Sequence, residues 1–437
     1  METIAKTVWN KSKVLVKGSM IFLIVLILQI PAFYVRELVE ERQNRQKEAI
    51  AEVSGKWAGR QTITGPAVVI PYLEMLSNTN LKPEKHYATF LPNNLKTEAV
   101  VEPQEKYRGI YKVMLYTATV KMSGSFNDVI VSKLNIPKEN ILWNEAFVKI
   151  HLSDVKGLND EIVLNWNNQK LILAPYESGE GLAAPLLLKS DSDLHEIQFS
   201  SVINLNGSDQ LLFTPVGKST TVTLNSKWPH PSFTGEVLPQ ETDINENGFS
   251  ATWKSLSHKR NFPQQWNDND FKIETNSSGS AMNISSTAFG ANLFVPINTY
   301  QKTMRSVKYA GLCIILTFAS FFLIETNNKK SIHPFQYGLI GLALIIFYSL
   351  LLSLSEYIGF NTAYLISTIC TIALITWFVR GLLQSTKFSA LLSAILILMY
   401  TYIFTILQLQ DYSLLLGSIG LFITLAIIMH FSKKFQW

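Results

Sequence analysis

The hydrophobic positions of this chain are concentrated in long runs near its two ends. The clearest, residues 335–355, has no charged residue and is rich in Leu, Ile, Phe and Gly. At roughly 1.5 Å per residue, a helix of this length spans the ~30 Å hydrocarbon core of a bilayer. Unpaired backbone groups are too costly in lipid, so such runs must be helical. The pattern predicts transmembrane helices at residues 14–35, 307–324, 335–355, 362–379, 388–407 and 413–431.

The first run allows two interpretations, a cleaved signal peptide or a transmembrane helix. It follows a short basic segment, residues 1–13, and it ends in IPAFYVREL without a small-x-small cleavage site. Residues 14–35 also form a longer run than the apolar region of a typical signal peptide. These features favour an uncleaved membrane anchor.

Lysine and arginine divide the connecting segments into two groups. Basic residues accompany both termini and two of the short connections, as Lys6, Lys11, Lys13, Lys17, Lys329, Lys330, Arg380, Lys387, Lys433 and Lys434. The other two short connections carry Glu356 and Asp411 and neither Lys nor Arg. Short basic loops stay in the cytoplasm. Six helices therefore predict cytoplasmic termini and a large domain, residues 36–303, on the opposite side.

The pattern changes twice inside this large domain. Residues 36–53 are charge-dense with loosely helical apolar spacing, which predicts a helical stalk that continues out of the membrane. From residue 61 onward, polar and apolar residues alternate in short Val-, Ile-, Thr- and Tyr-rich segments separated by turn residues. Many strands with few helices predict an all-β-rich domain, either a sandwich or a long curved antiparallel sheet. Residues 304–437 would form a bundle of five helices.

Composition adds little that the pattern does not already contain. Of the 437 residues, 47% are hydrophobic and 16% charged, and the net charge of +5 comes mostly from residues beside the predicted helices. This balance gives no argument for nucleic-acid binding. The two cysteines, Cys313 and Cys370, both lie in apolar runs, so the large domain has neither a disulfide nor a thiolate metal site.

The densest group of unusual residues outside the predicted membrane helices is KWPHPSF, residues 227–233. Two prolines flank His230 and fix the backbone near extended geometry. The structural interpretation is a rigid corner at a strand end, and the functional alternative is an edge that docks a peptide or glycan. The candidate residues are Trp228, Pro229, His230, Pro231 and Phe233.

Ionisable residues beside the apolar runs are a second set of candidates, because charge in a bilayer is costly. They are Glu325, His333, Glu356 and Asp411. All lie at predicted helix ends, so we interpret Glu325 as part of an ion-pair cluster at the cytoplasmic side, near Lys329 and Lys330. Glu356 and Asp411 lie on the opposite side, where they could meet across the bundle.

No sequence pattern points to catalysis. The seven histidines have no metal-binding spacing, and neither a nucleophile motif nor a phosphate-binding glycine loop is present. We therefore expect no enzymatic activity, no cofactor and no metal site.

Several long motifs resemble the CreD (Cet-like) family of inner-membrane proteins of Gram-negative bacteria. They are SKWPHPSFTGEVLP at 226–239, HPFQYGLIGLALIIFYSLLLSLSEYIGFNTAYLIS at 333–367, DYSLLLGS at 411–418, GPAVVIPY at 65–72 and KYAGLCIILTFASFFLIE at 308–325. The resemblance implies an inner-membrane location and agrees with the topology predicted from charge and hydropathy. It also implies a link to envelope stress, the Cre two-component system and tolerance of β-lactams and colicins, and it supplies no catalytic residue.

The favoured hypothesis is a non-enzymatic inner-membrane protein that supports cell-envelope integrity or stress response through a periplasmic β domain. One alternative is a membrane sensor or regulator that works with a two-component system. The other is a lipid or glycan transporter or an envelope enzyme. The expected partners are membrane lipid and an unidentified periplasmic or membrane protein, with no nucleic acid, and no residue indicates an oligomeric state.

Overall fold

The fold is described by a computed structural model. It covers residues 2–74, 83–127, 129, 131–176, 181–267, 271–272, 282–293, 299–328, 332–409 and 415–420, and the single residues 422, 426 and 429. The chain divides into two compact units. The helical unit contains Met1–Lys47 and Ile297–Trp437, and the β unit contains Glu48–Pro296.

The helical unit is built from long apolar helices. The helices are α1 Glu2–Trp57, α2 Thr299–Lys308, α3 Ala310–Asn328, α4 Pro334–Ile358, α5 Phe360–Leu383 and α6 Thr386–Gln408. The predicted anchor and stalk are one uninterrupted helix, α1, which runs from the helical unit into the β unit. No helix break separates the apolar segment from the charged segment.

Four of these helices, α1, α4, α5 and α6, are long and apolar enough to cross a membrane. The pair α2 and α3, bent by 43° at their junction, makes a fifth if it counts as one span. The predicted helix at 307–324 thus begins in α2 and continues through α3. Residues 415–420 are helical, but most of the sixth predicted helix, residues 413–431, lies outside the described residues. The count of six remains a prediction.

Between Ile21 and Val39, one face of α1 packs inside the helical unit and much of the opposite face is exposed. The buried positions recur at alternating spacings of four and three residues: Ile21, Val25, Leu28, Ala32, Val35 and Val39. Of the residues between them, Phe22, Phe33 and Tyr34 are each 64% exposed. This spacing is that of a helix that presents one continuous seam to its neighbours. We call these six positions the α1 seam.

The seam fits closely against a glycine of α4. A Cβ atom placed on Gly341 would lie 2.1 Å from Leu28 Cδ1 and 3.0 Å from Phe318 Cζ. One turn away, a Cβ atom on Gly338 would meet nothing within 4 Å. Small residues let transmembrane helices approach closely and gain packing contacts. The absence of a side chain at Gly341 therefore leaves the space that Leu28 of α1 occupies.

The β unit contains the strands of the fold. They are β1 Gln61–Glu74, β2 Glu84–Phe90, β3 Asn94–Arg108, β4 Tyr111–Phe126, β5 Phe147–Leu152, β6 Val163–Trp166, β7 Gln169–Ile172, β8 Ala174–Pro175, β9 Leu182–Pro185, β10 Ile197–Ser208, β11 Gln210–Phe213, β12 Ser219–Ser226, β13 Pro231–Gly235, β14 Glu241–Asn245, β15 Gly248–Leu256, β16 Gln265–Asn267, β17 Phe271–Lys272, β18 Met282–Asn283 and β19 Phe289–Leu293.

The strands form two large sheets and one short pair, β17 with β18. Sheet A has nine strands in the order β13-β19-β11-β1-β5-β9-β8, with β2 pairing β1 and β16 pairing β2. Sheet B has eight strands in the order β14-β15-β12-β3-β4-β10-β6-β7.

Both sheets are mixed, so the prediction of an antiparallel arrangement was wrong. In sheet A, β1 runs parallel to β11, with Gln61 opposite Leu211. In sheet B, β12 pairs with β3 in parallel along the whole length of β12, from Asn94 opposite Ser219 to Val101 opposite Ser226. Parallel partners must be joined by a long crossover. Here the crossover itself consists of strands. The alternation of polar and apolar residues looks the same in such a crossover as in a series of antiparallel hairpins.

The two sheets enclose one hydrophobic core. Val68 and Phe289 of sheet A and Tyr116 and Trp253 of sheet B belong to the same buried cluster. The other expectation for this domain, a sandwich, therefore describes the packing of the two sheets. Along β12, buried positions alternate with half-buried ones, whereas most of β1 is buried on both faces.

Candidate functional site

Glu325 lies at the end of α3 in a buried polar cluster. Its carboxylate pairs with the ammonium group of Lys17 from α1. It also accepts hydrogen bonds from Tyr337 Oη at 2.7 Å and from the backbone N–H of Ile332 at 2.8 Å. The side chains of Lys17 and Glu325 are 18% and 7% exposed. Three helices thus meet at one carboxylate whose charge is both paired and hydrogen-bonded, as a buried charge must be.

His333 lies beside this cluster and begins α4. Its Nδ1 accepts a hydrogen bond from Phe335 N at 3.3 Å, and Gln336 Oε1 accepts one from His333 N at 3.1 Å. The two contacts form a capping box that satisfies backbone N–H groups at the helix start. The ring of His333 is exposed and belongs to the helix cap. Glu325, the acid near it in the sequence, pairs with Lys17 of α1.

Glu356 lies at the other end of α4. Its carboxylate accepts a hydrogen bond from Tyr300 Oη of α2 at 2.9 Å, and Arg42 Nε of α1 lies 4.0 Å away. The Glu356 side chain is only 9% exposed. This second acid therefore also joins α1 to the bundle, together with α2.

A polar chain continues from this end across the starts and ends of the other helices. Lys302 Nζ donates to Gln408 Oε1 at 3.1 Å, and Gln408 Nε2 donates to Asn361 Oδ1 at 2.6 Å. Lys302 Nζ also lies 5.6 Å from the centre of the Phe360 ring. Asp411, which we expected on this side, lies outside the described residues, so its meeting with Glu356 remains a prediction.

The two ion pairs lie at opposite ends of the α1 seam. Lys17 precedes Ile21 by one helical turn and Arg42 follows Val39 by three residues, so both continue the same spacing. At 1.5 Å per residue, the stretch from Lys17 to Arg42 is about 38 Å long. That length is close to the thickness of a bilayer core with its interfaces. One basic residue thus lies beyond each end of the seam, and each faces a glutamate.

Between the two ends, the bundle buries hydroxyl and thiol groups. Tyr348 Oη donates to Cys313 Sγ at 3.4 Å, and Tyr364 Oη donates to the carbonyl oxygen of Tyr400 at 2.8 Å. Phe347 packs against the rings of Tyr348, Tyr364 and Tyr400. These contacts join α3, α4, α5 and α6, as polar groups commonly do between transmembrane helices.

The KWPHPSF motif joins the two sheets. The connection from the end of β12 in sheet B to the start of β13, at one edge of sheet A, consists of Lys227, Trp228, Pro229 and His230. Trp228 Nε1 donates to the carbonyl oxygen of His230 at 3.0 Å, which closes the corner. The imidazole of His230 is exposed and its edge faces the Trp228 ring, with ring centres 6.2 Å apart.

Phe233 connects this corner to the core. Its ring contacts Phe249 and Trp253 of sheet B at centre distances of 5.8 and 5.5 Å, while its backbone pairs with Ala291 of β19. Pro231 starts the edge strand, a place where its missing N–H costs no ladder bond. The five candidate residues therefore lie together in a connection between sheets.

The partners of the acidic residues were missed by the sequence reasoning. Lys17 and Arg42 are separated from Glu325 and Glu356 by some three hundred positions. One feature of the sequence pointed to these pairs. Lys17 interrupts the first apolar run, and its spacing from Ile21 continues the spacing of the buried positions in the α1 seam.

In the part of the chain that the structure describes, these contacts join helices and sheets and bring together no catalytic set. Among the described residues, no group of three or more His, Cys, Asp or Glu side chains is arranged to hold a metal ion. Glu325, Glu356 and Gln408 each have a partner on another helix. The ion pairs of Glu325 and Glu356 hold α1 in the bundle. The KWPHPSF motif holds the edge of sheet A to sheet B.

The sequence model described as "CreD: Inner membrane protein CreD" matches residues 13–437 of this chain. That match covers nearly the whole chain. The chain belongs to the CreD family. It is therefore an inner membrane protein with transmembrane helices, as the motifs of the sequence implied.

A curated relative supports the same assignment. The inner membrane protein CreD of Escherichia coli strain K12 is 30% identical over 437 residues, which covers 98% of this chain and 94% of the relative. Among solved structures, an M1 zinc metallopeptidase of Deinococcus radiodurans aligns with 38% of the chain at 8% identity and a TM-score of 0.18. This similarity is too low to indicate a shared fold.

Proposed function

We propose that this CreD family member is a non-enzymatic protein that supports cell-envelope integrity under stress, through a β unit in the periplasm that binds an envelope component. The main support is the use of the buried acids of the helical unit. Glu325 and Glu356 both pair with basic residues of α1. Charged groups in membrane segments that serve transport or proton transfer face a cavity or one another, whereas these two hold a helix in place.

The proposed orientation follows from the distribution of Lys and Arg. The basic connections and both termini would lie in the cytoplasm, and Glu48–Pro296 would lie in the periplasm. Lys17 and Glu325 would then mark the cytoplasmic surface, and Arg42 and Glu356 the periplasmic surface.

Reporter fusions test this orientation. Alkaline phosphatase is active only outside the cytoplasm, so a fusion after Pro239 is expected to be active and a fusion after Lys330 inactive. The reverse result would show that the β unit lies in the cytoplasm. It would remove the proposed function together with the orientation.

The envelope role is tested in cells. Cells that lack the protein are expected to survive β-lactam exposure less well than the parent, and the wild-type chain should restore survival. The double variant Lys17→Met/Arg42→Met, which removes both contacts of the α1 seam with acids, should restore it poorly. Equal survival with and without the protein would contradict the proposal.

A sensor that works with a two-component system is the second candidate, and the continuity of α1 favours it. A single helix from Glu2 to Trp57 belongs to both units, so movement of the β unit could reach the bundle through it. Two glycines inserted after Gln46 would interrupt this helix. If the protein is a sensor, this variant should keep wild-type abundance but lose the transcriptional response of the two-component system. If the protein acts only by binding an envelope component, the variant should keep both this response and β-lactam tolerance.

A further inference from the structure

The exposed face of sheet B carries an ordered row of hydrogen-bonding side chains. The strand registers place seven residues side by side across seven strands: Lys254, Thr221, Lys96, Ser123, Ser200, Asn165 and Lys170. Neighbouring strands are about 4.8 Å apart, so the row is roughly 29 Å long. We call it the Lys96 row. Its inner neighbours along the strands, such as Val222, Met122 and Leu164, are buried in the core.

A second row lies directly beside the first. It contains Glu98 opposite Lys121, followed by Val202 and Ile172, whose side chains are 51% and 58% exposed. The two rows line a groove of about 280 Å³ that includes Lys96, Glu98, Lys121, Ser123, Asn165 and Ser200. The groove is thus mostly polar, with an exposed apolar contact at Val202.

The net charge of the two rows is positive. The two rows contain four lysines, Lys96, Lys121, Lys170 and Lys254, and two acids, Glu98 and, at the β14 edge of the second row, Glu241. Lys96 Nζ lies 2.6 Å from Glu98 Oε1, and this hydrogen bond holds the pKa of Glu98 below its usual range. Glu98 therefore stays ionised, and the lysines leave an excess of positive charge for an anionic ligand.

The hydroxyl and amide groups of the Lys96 row indicate which uncharged groups a ligand would carry beside its anionic ones. Asn165 Nδ2 donates to Ser200 Oγ at 3.3 Å, and Ser123 lies next to Ser200 on the neighbouring strand. Hydroxyls and amides can both donate and accept hydrogen bonds. They suit a ligand that is rich in hydroxyl and N-acetyl groups, while Val202 offers an apolar contact for sugar-ring C–H groups.

We propose that the Lys96 row binds an acidic glycan strand of the cell wall, built of N-acetylated amino sugars that carry carboxylates. The carboxylates lie between the lysines, and the sugar hydroxyl and N-acetyl groups hydrogen-bond along the row. This inference rests on the periplasmic placement proposed above, because the glycan occurs only there. The binding itself needs no membrane orientation, so a purified protein can test it separately.

The experiment uses the full chain in detergent and two soluble glycans of equal length. One is a peptide-free glycan strand released from peptidoglycan, which retains its carboxylates, and the other is a neutral N-acetylglucosamine oligomer. Microscale thermophoresis is expected to show stronger binding of the acidic glycan. This binding should weaken as salt is raised, because salt screens exposed charges.

Variants locate the binding. Lys96→Gln/Lys121→Gln is expected to weaken binding of the acidic glycan by about tenfold or more, as expected for lost charged hydrogen bonds. Lys189→Gln removes an exposed lysine from a connection outside sheet B and should leave binding unchanged. Ser200→Val keeps all charges and should weaken binding of both glycans.

Three outcomes overturn the proposal: no binding of the acidic glycan by the intact chain, equal binding of the two glycans, or equal effects of the Lys96/Lys121 and Lys189 variants. Alkaline phosphatase fusions distinguish this failure from failure of the proposed function. If the β unit is periplasmic but binds no glycan, only the glycan proposal is wrong. If it binds glycan but lies in the cytoplasm, the binding is confirmed and the proposed envelope function is wrong.

Discussion

Lys17 and Glu325 are the residues on which the attachment of α1 most depends. Replacing Lys17 with Met leaves the Glu325 carboxylate buried without its cation, which is expected to destabilise the protein by about 3 kcal/mol. The measurement is the thermal unfolding temperature of the purified chain in detergent.

Arg36→Met is the matched control for this variant. Arg36 is on the same helix, but its pair with Glu40 is exposed, so the cost should be below about 0.5 kcal/mol. Adding Glu325→Gln to Lys17→Met should recover part of the lost stability, because the uncompensated charge is then gone. A Lys17 variant as stable as the Arg36 variant would mean that the buried pair does not hold α1.

Trp228 and His230 are expected to differ although they share one motif. His230→Ala keeps the backbone carbonyl that Trp228 Nε1 bonds, so its effect on stability should be within about 0.5 kcal/mol. Trp228→Ala loses both the hydrogen bond and the packing against the core, at a cost of about 2 kcal/mol. Thermal unfolding compares the two.

A different result at His230 would change its interpretation. If His230→Ala is as stable as the wild type but fails to restore β-lactam tolerance, the exposed imidazole belongs to a binding site. Its place at the corner would then matter for a partner rather than for the sandwich.

The sequence indicated which residues to examine but not which partners they have. The cost of charge in a bilayer singled out Glu325 and Glu356, and both proved to be buried and paired. Their cations are on α1, where nearly every position between Val14 and Val35 is apolar. In such a segment, hydrophobic periodicity cannot show which face is buried, so the seam could be located only from packing.

Among the helices, the contact of α1 with α4 can be tested directly. Gly341→Val is expected to push the two helices apart, because its side chain would overlap Leu28 and Phe318. Overpacking of this kind costs about 1–3 kcal/mol. Gly338→Val adds the same side chain to the same helix where there is open space, so it serves as the control.

Leu28→Ala should partly rescue Gly341→Val, because it makes room for the added methyl groups. The measurement is the amount of folded protein in membranes together with its unfolding temperature. Equal effects of the Gly341 and Gly338 variants would contradict close packing at this point.

Strand existence was easier to predict than strand partners. The alternation in β12 follows directly from a sheet with one face in the core. The pairing of β3 with β12, and of β1 with β11, depends on contacts between segments that are far apart in the chain. No local pattern encodes such a choice, which is why an antiparallel arrangement was expected.

At the scale of the whole molecule, the β unit has the features of an independent folding unit. Its core cluster extends from Ile63 to Leu293 and includes residues of both sheets. We expect a fragment of residues 48–296 to be soluble and to unfold in one cooperative thermal transition.

Circular dichroism and calorimetry of this fragment provide the measurement. Trp253→Ala, which empties a fully buried site, should lower the unfolding temperature strongly. Aggregation of the fragment, or a gradual transition, would mean that the β unit needs the helices to fold.

The two parallel pairings also have a consequence for synthesis. Leu211 follows Gln61 by 150 positions and Ser219 follows Asn94 by 125, so β1 and β3 are made long before these partners exist. Each strand has an open edge during that interval, when a chain is most prone to pair with the wrong segment. The nascent β unit thus depends on protection, by a chaperone or by rapid completion, until β11 and β12 have been made.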